Sequence, residues 1–140
     1  MNDHAVSEMD EAVIKYYRRL LKSGFEHPGT LENPSIFLDT VREDIPICGH
    51  MGDYLHLYLH VRHRVVEDAK YLCSCEPAAN VAVEILCGLV LGKTLEEVKA
   101  IGEDSFRVVL GADSAELGKK ASGLLELLRR GIARFEENTK

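Results

Sequence analysis

The chain has 140 residues, of which 46% are hydrophobic and 29% are charged, and this composition predicts a globular protein rather than a disordered one. Its formal net charge of −6 argues against a surface that binds the phosphates of nucleic acid. The opening MNDHAVSEMDEA lacks the basic start and apolar run of a signal peptide, and no apolar run is long enough to cross a bilayer. We therefore expect a cytoplasmic protein, with reduced cysteines and with neither a membrane nor a nucleic acid among its partners.

The first predicted element is an amphipathic helix near the start of the chain. Apolar residues recur at helical spacing from Met9 to Leu21, and Gly24 follows as a stop signal. Ser7 and Asp10 resemble the start of a capping box, with Asp where Glu or Gln is more usual. The next segment, FEHPGTLENP, carries two prolines and a glycine and is predicted to be a loop.

Three strands are predicted after this loop. The first, SIFLDTV, has the least regular pattern. In DYLHLYLHV, aliphatic side chains alternate with tyrosines and histidines, which is typical of a half-buried antiparallel strand. The residues expected on its outer face are Tyr54, His56, Tyr58 and His60. After a short turn at Arg62–Arg64, VVEDAKYLCS is its predicted hairpin partner.

Helices are predicted for most of the remaining chain. Pro77 suits the first position of a helix, where its missing N–H costs nothing. Residues 78–91 are apolar nearly all round, with Glu84 as the only charge, so this helix is expected to be buried against the sheet. The short helix TLEEVKAI begins with a capping box formed by Thr94 and Glu97.

The stretch from residue 103 to residue 111 fits a helix or a strand equally well. A last long helix follows, with one apolar stripe made of Leu117, Ala121, Leu124, Leu125, Leu128, Ile132 and Phe135. Because the strands are grouped before these helices, the sequence predicts an α+β fold. We expect a three-stranded antiparallel sheet with helices packed mainly on one face.

Thiols and carboxylates are predicted to meet at one end of this sheet. Cys48 and Asp53 flank the loop CGHMGD before the second strand, and Cys73 and Cys75 lie at the end of the third. Hairpin pairing would bring the loop beside the CSC segment, and Cys75 would stand at the N-terminus of the following helix, where a thiol pKa is lowered. Thiolates near a carboxylate could bind zinc or iron.

Each cysteine also has a purely structural interpretation. Cys75 could be a buried thiol at a strand end, and Cys73 is balanced between a ligand and a packing group. Cys48 is functional only if its loop folds back over Cys75. Cys87, inside the apolar helix, is expected in the core, since free cysteine is among the most buried residue types.

The histidines also have either a metal-binding or a structural interpretation. His56 and His60 invite a metal interpretation, but a polar outer face of an antiparallel sheet explains them better. His50 lies inside the CGHMGD loop and could supply a missing ligand. The sequence contains no nucleophile–base pair at recognisable spacing, no P-loop and no dinucleotide fingerprint, so an enzyme is disfavoured.

Several segments, in order, resemble the U-type iron–sulfur cluster assembly scaffolds, the family of IscU, SufU and the N-terminal domain of NifU. DEAVIKYY is similar to the family's opening helix, GDYLHLYLHV to its Cys-Gly-Asp motif running into a strand, and VVEDAKY to the strand before its second cysteine. GKTLEEV is nearly identical to the corresponding sequence segment of the family, and KKASGLLELLRRGI resembles its C-terminal helix. The resemblance implies a single NifU/IscU-like domain over residues 1–140.

The chain departs from the family at the cysteine positions. In ungapped register the first cysteine falls on Met51 and the second on Glu76, while the aspartate is kept as Asp53. The third falls near Lys119 and Lys120, and FRVVLGADSAELG replaces the proline-rich segment that family members offer to their chaperone. A small shift in loop or helix start would restore two ligands at Cys48 and Cys75.

The resemblance implies a scaffold-like role in iron–sulfur cluster assembly, with Cys48 and Cys75 as ligands or sulfur acceptors and Asp53 tuning cluster lability. The implied cargo is an iron–sulfur cluster such as 2Fe-2S, and the implied partners are a cysteine desulfurase and client proteins. Two alternatives remain open. One is a diverged, cluster-free interaction protein on the same fold, and the other is zinc binding at the same place, with Cys73 and His50 as further metal ligands.

Overall fold

The computed structural model describes residues 10–47 and 52–139. Over these residues it contains a three-stranded antiparallel sheet and six helices. The strands are β1 (Ile36–Asp39), β2 (Leu55–Arg62) and β3 (Val65–Cys73). The helices are α1 (Glu11–Ser23), α2 (Thr40–Glu43), α3 (Pro77–Val90), α4 (Leu95–Lys99), α5 (Glu103–Leu110) and α6 (Ala115–Asn138). The predicted α+β class is therefore confirmed.

The sheet has the order β1-β2-β3, and both pairs are antiparallel. Leu57 of β2 pairs with Leu38 of β1 and with Tyr71 of β3, and all three side chains are buried on the core face. The first strand is shorter than SIFLDTV predicts, because the Asp39 side chain accepts a 3.0 Å hydrogen bond from the backbone N–H of Val41. This cap starts helix α2 at the point where the strand was expected to continue.

The helices lie mainly on one face of the sheet, as predicted. Helix α3 packs against β3, and α6 packs against α3 and β1. A close approach between α6 and β1 needs Gly131, where an added Cβ would lie 2.7 Å from Leu38 Cδ2. Cys87 is fully buried in α3, which confirms its predicted place in the core. The ambiguous stretch 103–111 is the helix α5, ended by Gly111 at φ 82°.

A buried carboxylate fastens the loop before β1 to this core. The Glu84 side chain of α3 accepts hydrogen bonds from the backbone N–H groups of Glu26 (2.9 Å) and His27 (3.3 Å) and from the hydroxyl of Tyr71 (3.0 Å). The loop then runs parallel to β3 for one residue, at a bridge between Pro28 and Tyr71. Glu84, predicted only as the lone charge of an apolar helix, therefore holds a loop against the edge of the sheet.

The opposite end of the hairpin is held by a charged cluster. His63 and Arg64 form the turn with positive φ values of 52° and 63°. Arg64 pairs with Glu96 at the start of α4 and with Glu136 near the end of α6, at 2.6 Å for the second pair. Lys99 joins Glu136 at 2.8 Å. None of the helices over residues 10–47 and 52–139 is both long and apolar enough to cross a bilayer.

Helix α3 provides a test of core packing. Leu86 is fully buried whereas Leu89 is only partly buried. We expect Leu86→Ala to lower the free energy of unfolding by about 2–5 kcal/mol and Leu89→Ala by less than about 2 kcal/mol, because only the first leaves a closed cavity. Urea unfolding followed by far-UV circular dichroism measures both. Equal losses would show that the two side chains share one environment.

Candidate functional site

The candidate site is built at the end of the β2–β3 hairpin that lies away from its turn. The register pairs Leu55 with Cys73, so Asp53 and Tyr54 run beside Ser74 and Cys75. Of the predicted site residues, the structure brings Asp53, Cys73 and Cys75 to this end of the sheet. The other two, Cys48 and His50, lie outside the described residues.

Ser74 is the polar link between the two chain segments. Its hydroxyl accepts a 2.9 Å hydrogen bond from the backbone N–H of Tyr54, and its own N–H donates to the Tyr54 carbonyl at 3.0 Å. The same hydroxyl lies 3.5 Å from Asp53 Oδ1. Ser74 was not singled out from the sequence, although extending the predicted hairpin by one residue would have placed it opposite Tyr54.

Cys73 has a free, partly buried thiol. Burial raises the pKa of the Cys73 thiol, the backbone N–H of Cys75 opposes this by donating to Cys73 Sγ at 3.4 Å, and the charges of Glu76 and Asp53 raise it further. The positive charge of Lys120 lowers this pKa, but burial has the larger effect, so loss of the proton in the folded state needs a higher pH than for a free thiol.

Cys75 precedes helix α3 and packs partly against the core. It is disulfide-bonded, so the expectation of reduced cysteines is wrong at this position, and its Sγ lies 3.4 Å from the carbonyl oxygen of Tyr54. The free thiols among the described residues are those of Cys73 and Cys87. A thiolate at Cys75 therefore requires reduction first.

An ion pair stands at the positions where the family register places the second and third cysteines. Glu76 is the N-cap of α3, and its Oε1 lies 2.5 Å from Lys120 Nζ, which also donates to the backbone carbonyl of Ile47. The two side chains are only 26% and 15% exposed. Lys120, near which the family's third cysteine falls, lies in the second turn of α6 and is paired rather than fully solvated.

Metal-binding capacity can be judged from the donors present. Within residues 10–47 and 52–139, no group of three or more Cys, His, Asp or Glu side chains is arranged to hold a metal ion. Of the predicted donors at this end, Cys75 is held in a disulfide, and the positive charge of Lys120 acts on the remaining thiol of Cys73. A metal at this place therefore needs a donor from outside the described residues.

The strand histidines lie on the outer face of the sheet, away from this site. His56 Nε2 is 3.6 Å from Asp39 Oδ1, and its ring packs near Phe37 and Tyr54 at centroid distances of 5.3 and 4.7 Å. His60 Nε2 is 2.9 Å from the carbonyl oxygen of Glu32. These separate partners agree with the outer-face interpretation and give no shared ligand geometry.

Comparison with solved structures finds several chains of similar structure. The N-terminal part of a nitrogen-fixing NifU-like protein from Brucella abortus matches with a TM-score of 0.61 and 15% identity, over 94% of this chain and 97% of that chain. A hypothetical protein matches with a TM-score of 0.56 and 15% identity, over 86% and 98%. A protein proposed as the iron–sulfur cluster assembly scaffold of the SUF system in Fervidobacterium islandicum AW-1 gives 0.49 and 17%, over 93% and 88%.

Sequence comparison gives no counterpart to these matches, since no protein-family model and no curated protein sequence match the chain. The resemblance to NifU-like proteins that the sequence predicts is therefore confirmed at the level of the fold. At 15% identity, this structural match supports a shared backbone arrangement and does not identify ligand residues.

The Glu76–Lys120 pair is testable by a double-mutant cycle. We expect a coupling free energy of about 1–2 kcal/mol from Glu76→Ala, Lys120→Ala and the double variant, because the pair is partly shielded from water. The exposed pair Arg62–Glu67, with its atoms 4.0 Å apart, is the matched control and should give about 0.5 kcal/mol or less. Equal coupling in both cycles would mean that Lys120 is solvated after all.

The Cys73 thiol gives a pH test. The alkylation rate by iodoacetamide, followed by mass spectrometry of the Cys73 peptide in reduced protein, should rise at higher pH in the folded chain than in the chain unfolded by urea. The reason is that burial raises the pKa of Cys73, so less thiolate is present at any given pH. Cys87, which is fully buried, should react only after unfolding. A Cys73 midpoint at or below that of the unfolded chain would contradict the raised pKa.

Proposed function

We propose that this chain is a scaffold-like protein of iron–sulfur cluster assembly, which binds iron and sulfur as cargo and passes them on. The supporting observation is the meeting of Asp53, Cys73 and Cys75 at one sheet end beside the N-terminus of α3. It occurs on a fold shared with the N-terminal part of a NifU-like protein. Soft thiolate donors suit iron–sulfur cargo better than they suit hard cations.

Cys75 and Cys48 are the proposed ligands or sulfur acceptors. Cys75, once reduced, would present its thiolate near the first turn of α3, where the helix dipole stabilises negative charge. Asp53 lies close enough to Ser74 to reach the same space and is proposed to tune how easily the cargo leaves. Cys73 and His50 are the proposed further metal ligands.

The proposed cargo is an iron–sulfur cluster such as 2Fe-2S, and zinc would use the same donors. The proposed partners are a cysteine desulfurase, which supplies sulfur, and client proteins, which receive the cargo. Such a role involves no turnover of a substrate by this chain. The partly buried ammonium of Lys120 at this end favours loose retention of the cargo, because lysine is protonated at neutral pH and cannot bind a metal in that state.

A second candidate function is supported by a separate observation. The Glu76–Lys120 ion pair fills the positions of two family cysteines with groups that satisfy each other. This supports a cluster-free interaction protein that keeps the scaffold fold. In that case the remaining thiols are packing groups, and a metal ion gains nothing at this end of the sheet.

Anaerobic reconstitution separates the two candidates. The reduced protein, purified without chelators, is incubated with iron and sulfide, desalted, and examined by visible absorption and metal analysis. For the scaffold we expect absorption above 300 nm in the wild type, with most of it lost in Cys75→Ser and in Cys48→Ser. The cargo should be labile, since the third family cysteine is absent from its usual position.

Cys87→Ala is the matched control, because this thiol is buried in the core away from the site. It should retain the absorption if the remaining protein is folded, which far-UV circular dichroism checks. A wild type that takes up neither cluster nor metal sinks the scaffold proposal and leaves the cluster-free candidate. Zinc uptake without cluster absorption supports the zinc alternative.

A further inference from the structure

Helix α1 carries a row of four cations on one side. Lys15, Arg18, Arg19 and Lys22 recur at the spacing i, i+3, i+4 and i+7, which places them along one face of a helix. All four side chains are exposed. The row is notable in a chain whose formal net charge is −6.

These cations line a groove between α1 and the segment that follows α5. The groove has a volume of about 590 Å³, and its other wall is formed by residues 110–112. Tyr16 lies in the groove, partly buried against the core, and the guanidinium carbon of Arg19 is 4.7 Å from the centre of its ring. The surface therefore combines positive charge with an aromatic and aliphatic floor.

The charge of this row is not neutralised within the described part of the chain. No ion pair joins any of its four side chains to another residue of 10–47 or 52–139. Other cations of the protein are paired closely, such as Arg64 with Glu136 at 2.6 Å and Arg134 with Glu43 at 2.5 Å, and none of the other unpaired cations among the described residues forms a row of four on one helix face. An unpaired row of this kind produces a local positive potential that attracts anions.

We propose that the α1 groove binds an acidic segment of a partner protein. The row from Lys15 to Lys22 spans about 10 Å at ~1.5 Å per residue. An extended peptide covers that distance with about three residues at ~3.3 Å each. Side chains two residues apart in an extended peptide face the same way, so a carboxylate at one position would meet the cations while an apolar side chain two residues on contacts Tyr16. Charge complementarity therefore selects an acidic peptide with interspersed apolar residues.

Other anionic partners fit this groove less well. A membrane-surface helix must insert a broad apolar face, and the apolar side of α1 is already used inside the protein, where Val13 is fully buried. A nucleic acid needs a long positive track, whereas this row extends over two helical turns of an acidic protein. The groove shares no lining residue with the candidate site around Asp53, Cys73 and Cys75, so peptide binding there requires no cluster.

Fluorescence anisotropy with a labelled peptide tests the proposal on the full chain. The probe is the eight-residue acidic peptide EDLEDLED, and its neutral analogue QNLQNLQN is the matched peptide. We expect saturable binding of the acidic probe, with a dissociation constant below about 1 mM, and at least about tenfold weaker binding of the neutral one. Raising NaCl from 50 to 500 mM should weaken binding of the acidic probe, since exposed charges are screened.

Matched variants locate the binding site. Arg18→Glu/Arg19→Glu should weaken binding of the acidic probe by at least about tenfold. Lys93→Glu/Arg129→Glu makes the same change in net charge at exposed positions outside the groove and should leave binding within about twofold. Equal loss in both double variants, or no saturable binding by the wild type, overturns the proposal.

Sedimentation with vesicles tests whether the groove binds an anionic membrane instead of a peptide. The wild type is sedimented with vesicles of phosphatidylcholine containing 30% phosphatidylserine, with and without the acidic peptide. We expect no cosedimentation that depends on Arg18 and Arg19. Cosedimentation that the Arg18→Glu/Arg19→Glu variant loses, together with weak peptide binding, would overturn the peptide assignment in favour of an anionic membrane.

Discussion

The register of the β2–β3 hairpin determines where the core and the reactive groups of this protein lie. Because side chains alternate along a strand, the pairing of Leu55 with Cys73 turns Leu55, Leu57 and Leu59 inward together. A slip of one residue would move all of them to the outer face. The same pairing sets Asp53 beside Ser74, so burial of the leucines and assembly of the candidate site depend on one constraint.

Glu84 extends this constraint to the loop before β1. A carboxylate that is only 6% exposed must find hydrogen-bond donors, and two of those it finds are backbone N–H groups of the loop. The third donor, the Tyr71 hydroxyl, belongs to β3 near its C-terminal end, and burial beside Glu84 raises the pKa of Tyr71. The loop, the strand and α3 are thereby held in one arrangement by a group that looks out of place in an apolar helix.

The sequence predicts periodic features well and convergent ones poorly. The alternation in β2, the Thr94–Glu97 capping box and Pro77 at the start of α3 are local patterns, and each appears in the structure. The pairing of Glu76 with Lys120 joins residues 44 positions apart, and no local pattern encodes it. The family register predicts that cysteines are missing at Glu76 and near Lys120. It does not predict that these two side chains contact each other.

Charged side chains from the helices hold the hairpin at both of its ends. At the turn, two helices grip the chain through Arg64, Glu96 and Glu136, and β3 is bridged to Thr94 as well. At the thiol end the corresponding restraint comes from Lys120, which contacts both Glu76 and the carbonyl of Ile47. Both ends of the hairpin are thus braced by side chains from helices distant in sequence, so the strand register is held from outside the sheet as well as by its own hydrogen bonds.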